Sequence, residues 1–145
     1  MKTILFVTAV VLQVTAVCPM QADGSPADKL SPFACDRMAL SPEARKQHFD
    51  LLGPELRRTH LRIRELPDGY EFEFPPDPAS VQRVAEWSAG ERLCCPFFDI
   101  DLRFEREHGA FWLRLTGREG VKQFIQSDFA KWFQTQPDSA SMKRE

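Results

Sequence analysis

Two alternating segments, each folded back at a glycine and each followed by a helical run, constrain this chain more than any other feature. In the first, over residues 59–75, Leu61, Ile63 and Glu65 alternate with Arg62 and Arg64. Pro67-Asp68-Gly69 signals a turn, and Tyr70, Phe72 and Phe74 then alternate with Glu71 and Glu73. Alternation of period two on both sides of a turn is the pattern of a hairpin with one buried face. In the second, Ile100, Leu102 and Phe104 alternate with Asp99, Asp101, Arg103 and Glu105. His108-Gly109 marks the turn, and Phe111, Leu113 and Leu115 alternate with Trp112 and Arg114. After the first hairpin, Asp77-Pro78 opens a helical stripe of Val81, Val84, Ala85, Ser88 and Arg92 flanked by Trp87. After the second, Gly117-Arg118-Glu119-Gly120 leads into Val121, Phe124, Ile125, Phe129 and Phe133. In both cases twelve residues separate the turn glycine from the first apolar helical residue, Gly69 to Val81 and Gly109 to Val121.

The expected fold is therefore α+β. A leading helix precedes two ββα units, whose hairpins join in one four-stranded antiparallel sheet with helices packed on its apolar face. Ser41 can cap the leading helix, Pro42 suits its first position, and Glu43 favours the positive end of the dipole. This helix is expected over about 41–52, with Ala44, His48, Leu51 and Leu52 on its apolar side and Gly53-Pro54 ending or kinking it. The other helices are expected over about 78–94 and 119–133.

The N-terminal residues read as an export signal. Lys2 is followed by an uncharged apolar run to Val17, too short for a membrane span of about 20 residues. Cleavage is expected after Ala16 or Ala22, and an alternative lipid anchor on Cys18 is disfavoured by Val17 before it. The organisation expected is a signal over 1–22, a linker over 23–34, a single domain over 35–135 and a disordered tail over 136–145. The protein is expected to be exported, periplasmic or secreted, and not membrane-spanning. The net charge of −2 and the absence of a basic patch argue against nucleic acid as a partner.

Chemistry concentrates in the cysteines. Cys94 and Cys95 are adjacent where the second helix stops at Pro96, and Cys35 lies far upstream after Pro32-Phe33-Ala34. Four readings follow. Three convergent thiolates suit a thiophilic metal ion such as Cu(I), Zn(II) or Hg(II), with Cys35, Cys94 and Cys95 as ligands and His48 as a possible fourth. A disulfide from Cys35 to one of the pair would close a loop of about 60 residues and stabilise by roughly 4 kcal/mol in the chain-entropy model. The cysteines can also be inert small hydrophobes. Thiol redox chemistry is the last reading, and it is disfavoured. A helix C-terminus opposes a thiolate, Glu91 opposes it further, and adjacent helical residues point about 100° apart.

Cys35-Asp36 ahead of Ala39-Leu40-Ser41-Pro42-Glu43, then Leu66-Pro67-Asp68-Gly69-Tyr70, Glu91-Arg92-Leu93-Cys94-Cys95-Pro96-Phe97-Phe98 and Trp112-Leu113-Arg114-Leu115-Thr116-Gly117-Arg118-Glu119-Gly120-Val121-Lys122, resembles a family of small uncharacterised bacterial proteins over residues 35–126. The resemblance brings no established activity. Its members mostly lack an export signal, and this chain departs there. A core shared with cytoplasmic relatives would make a purely structural disulfide less expected.

Other constellations point less sharply. Asp99 and Asp101 fit a solvated strand face, and residues 117–120 fit a plain helix start. Trp112 faces away from the expected core, to be covered by the leading helix or a partner. No serine–histidine–acid arrangement is legible, so the expectation leans away from an enzyme. It favours an exported protein that binds a thiophilic metal ion, with a disulfide-stapled module as the alternative.

Overall fold

The computed structural model describes residues 30–134. The expectations for the signal, Cys18, most of the linker and the C-terminal tail fall outside them. The fold is α+β. Strands β1 (Arg62–Leu66), β2 (Gly69–Phe74), β3 (Asp99–Phe104) and β4 (Phe111–Thr116) form one antiparallel sheet in the order β1-β2-β4-β3. The second hairpin thus pairs its later strand with the later strand of the first. This places Tyr70, Phe72 and Phe74 opposite Leu115, Leu113 and Phe111 at the centre of the sheet. These six are buried and form the middle of the core. Full burial of each such side chain is worth about 1.5–3 kcal/mol.

The helices are α1 (Pro42–Lys46), α2 (Gly53–Thr59), α3 (Pro78–Cys94), α4 (Val121–Asp128) and α5 (Ala130–Gln134), after a short 3-10 turn at Arg37–Ala39. Ser41 caps α1 by accepting from the Ala44 amide at 3.2 Å. Asp77 caps α3 by accepting from the Ala79 and Ser80 amides, each at 3.0 Å. The Ser80 hydroxyl also donates to the Asp77 carboxylate and holds its pKa low.

Three expectations need correction. First, Gly53-Pro54 does not end the leading helix. A π-helical segment, Gln47–Leu52, carries it into α2 and on to Thr59. The Gly53 amide reaches back to the His48 carbonyl. Widening the helix just before Pro54 accommodates a ring that lacks an N–H and crowds the preceding turn. Second, the buried stripe of α3 is Ser80, Val84, Trp87, Ser88, Glu91 and Cys94; Ala85 and Arg92 are exposed. The bulk of Trp87 sets which side faces inward, and Glu91 comes with it. Third, the last helix breaks at Phe129, so Phe129 and Trp132 turn together against Trp87.

Trp112 does lie on the sheet face away from the core, yet it is buried. The guanidinium groups of Arg64 and Arg62 cover its ring, at 4.2 and 5.6 Å from the centroid. Arg62 pairs with Glu73 across the hairpin, and Arg64 with Glu71. Neither the leading helix nor a partner is needed to cover it.

Candidate functional site

The sulfurs meet at the C-terminal end of α3. Cys94 is its last residue, and Cys95 leaves the helix with φ −127° and ψ 66°. That departure undoes the 100° offset expected between neighbours and brings the two Sγ atoms to 3.8 Å. The chain around Cys35 comes alongside because the Asp36 amide donates to the Cys94 carbonyl at 2.7 Å. Such carbonyls have no partner within the helix itself. Phe33 anchors the same segment, packing edge-on against Phe97 with 5.4 Å between centroids. Gly120 makes room for Phe33: its φ is +98°, and a Cβ there would lie 2.6 Å from the Phe33 ring. The Arg118 guanidinium lies over the Phe33 ring, 4.2 Å from its centroid, and donates to the Ser31 carbonyl.

Cys35 and Cys95 are bonded as a disulfide with Cα atoms 4.7 Å apart, across 60 residues of sequence. Cys94 is a free thiol and fully buried. Burial first, and the neighbouring Glu91 carboxylate second, push its pKa up to about 12. The Arg37 guanidinium acts in the opposite direction.

His48 projects from the π-helical segment into the interior and is 3% exposed. Its ring stacks on Trp87, 5.5 Å between centroids and 11° from parallel, and meets Phe49 edge-on. A Cβ on Gly90 would lie 2.5 Å from His48 Nδ1, so only glycine on α3 lets the imidazole approach this closely. Nδ1 has no hydrogen-bond partner among the described residues. The ring proton is therefore better placed on Nε2, which lies 2.9 Å from Glu91 Oε2 and 3.9 Å from Cys94 Sγ. The Cys94 thiol in turn lies 3.8 Å from Glu91 Oε2.

The structure thus brings Cys35, Cys94 and Cys95 together and sets His48 beside them. One member escaped the sequence reading. Glu91 shares the cluster: its carboxylate and the three sulfurs all lie within 4.8 Å of one another. The signal was its place three residues before Cys94, which puts both on one helical face. His48 touches the cluster at Glu91 and Cys94 and stands outside that closest group. His60 and His108 lie elsewhere. His60 is buried against Phe72 and Trp132, and His108 sits in the β3–β4 turn with φ 60°. A cleft of about 410 Å³ opens onto the cluster, lined by Cys35, Arg37, His48, Trp87, Glu91 and, from the second unit, Asp128 among others.

Comparison with protein-family models, with curated proteins and with solved structures found no match. Among the described residues no helix is long and apolar enough to cross a membrane.

Proposed function

We propose that the protein binds one thiophilic metal ion, Cu(I), Zn(II) or Hg(II), through Cys35, Cys94 and Cys95 once the Cys35–Cys95 bond is reduced. Glu91 supplies an adjacent carboxylate and His48 orients it. One observation carries the reading: three sulfurs and a carboxylate within 4.8 Å of one another, all but Cys35 buried. Tetrahedral ligation at metal–sulfur bonds of about 2.3 Å needs sulfurs about 3.8 Å apart. Cys94 and Cys95 already stand at that separation. The high pKa of Cys94 is no obstacle, because a bound cation displaces the thiol proton. The His48–Glu91 pair has the form of the carboxylate–histidine supports found around metal ligands. The role is to sequester an ion or pass it on, in an exported protein.

A second reading is favoured by the disulfide itself. If the bond persists in the working protein, Cys35–Cys95 staples the N-terminal segment to α3, and the protein is a structural or interaction module without metal.

Native mass spectrometry of the fully reduced protein with each ion separates the two. One retained ion, lost in Cys94→Ser and in Cys35→Ser, is the expected result. A reduced protein that retains no ion would leave the stapled module.

A further inference from the structure

The three sulfurs are not equally open. Cys94 and Cys95 have no exposure, whereas Cys35 is partly exposed and lines the cleft. The volume of the cleft, about 410 Å³, falls in the range of small-molecule sites. Its walls are aromatic, from Phe49, Trp87 and Trp132, and two arginines stand over it. Arg37 lies with its guanidinium 4.0 Å from the centroid of Phe49. Arg57 comes from α2, and among the described residues no carboxylate pairs with either guanidinium. Two acids also line the cleft. Burial raises the pKa of Asp128, and Glu91 is engaged by His48. Arg37 and Arg57 are the cationic groups of the lining.

We propose that this cleft receives a small anionic thiol, one carrying carboxylate groups, which opens the Cys35–Cys95 disulfide by attack at Cys35 Sγ. The inference rests on the metal-site reading for its purpose, since opening this bond frees Cys35 and Cys95 to join the Cys94 thiol. The incoming thiolate forms a sulfur–sulfur bond to Cys35 as the Cys35–Cys95 bond breaks. Cys95 leaves as a thiolate and takes a proton from solvent, with the Cys94 thiol 3.8 Å away to donate a hydrogen bond to it meanwhile. A second thiolate attacks the outer sulfur of the mixed disulfide and frees Cys35. In sum, two small thiols are oxidised to their disulfide and one protein disulfide becomes two thiols. The arginines attract the carboxylates, and burial protects Cys95, so both direct attack to Cys35.

The test uses the metal-free full chain with its disulfide intact, treated with reduced glutathione or with cysteamine at equal thiolate concentration. Trapped adducts are located by peptide mass mapping. Glutathione is anionic and cysteamine cationic, so the expected result is bond opening roughly tenfold or more faster with glutathione. The first adduct should fall on Cys35, and the advantage should fade at high salt and in Arg37→Gln/Arg57→Gln. Equal rates for the two thiols, or a first adduct on Cys95, would overturn the proposal without any variant. Metal retention after reduction by a phosphine tests the other reading separately. A phosphine-reduced protein that holds no ion removes the metal site and leaves the thiol result standing; the reverse pattern removes only the thiol site.

Discussion

Two carboxylates in this molecule are almost equally buried, Glu71 at 1% exposure and Glu91 at 3%, and their surroundings differ in kind. Glu71 sits on the outer face of the sheet between two guanidinium groups, Arg64 at 2.5 Å and Arg114 at 3.3 Å. Glu91 sits at the end of α3, where its ion-pair partner among the described residues is His48 alone and its other neighbour is a thiol. A buried charge is costly unless it is paired. The sheet carboxylate has fixed cations and closes an arrangement whose role is to cover Trp112. The helix carboxylate stands beside three sulfurs, with no permanent cation paired to it among the described residues. A bound metal ion would supply there what arginine supplies on the sheet.

The largest expected effect tests the structural side of this contrast. Arg64→Met with Arg114→Met strands Glu71 and should lower unfolding stability in urea by about 3 kcal/mol. That is the low end for breaking a buried pair, because Arg64 is half exposed. Next comes Glu91→Gln, which removes no arginine partner and should change metal-free stability by less than about 1 kcal/mol. Metal affinity should fall about 10- to 100-fold in Glu91→Gln and stay unchanged in Glu71→Gln. Equal losses of affinity in both would erase the distinction.

The two buried histidines extend the comparison to pH. His48 has a carboxylate acceptor, whereas His60 has the Arg57 carbonyl for Nδ1 and no partner for Nε2 among the described residues. Burial lowers the pKa of His60 below 6.5. The unfolded chain then binds the proton more readily than the folded one. Stability from this residue is complete above about pH 6.5 and is lost as pH falls towards the folded pKa. His60→Phe, which keeps the stack on Trp132 and the edge contact with Phe72, should flatten that decline in urea midpoints measured across the same range. The smallest effect is kinetic. With its pKa near 12, Cys94 should resist iodoacetamide at neutral pH in the folded protein. Glu91→Gln should speed the labelling several-fold by lowering that pKa. Labelling as fast as in the urea-unfolded chain would show the thiol to be accessible and contradict its burial.

The hairpins were legible because their alternation is local and the sheet needs one apolar face. The bounds of α3 were legible from Asp77-Pro78 and Pro96. Strand order was not, since pairing β2 with β4 depends on contacts distant in sequence. The cysteines could be named as a set, but their mutual geometry hangs on the turn at Cys95 and on the Asp36–Cys94 backbone bond, neither of which leaves a residue pattern. Glu91 was read only as a charge near a thiol, because the side chosen by Trp87 is decided in packing. The covering of Trp112 by Arg62 and Arg64 was missed for a similar reason: arginines on a strand look solvated until the ring beneath them is placed.

The bond from the Asp36 amide to the Cys94 carbonyl has a further consequence. It fastens the backbone beside Cys35 to the helix that carries the other two sulfurs, and the packing of Phe33 on Phe97 holds the same segment from the other side. Neither contact involves a sulfur of the disulfide. When that bond opens, Cys35 remains tethered at a high local concentration relative to Cys94 and Cys95, as for a ligand joined by a short linker. In the proposed metal site, closing the chelate on Cys35 and reclosing the bond would then both be intramolecular events that compete for the same sulfur.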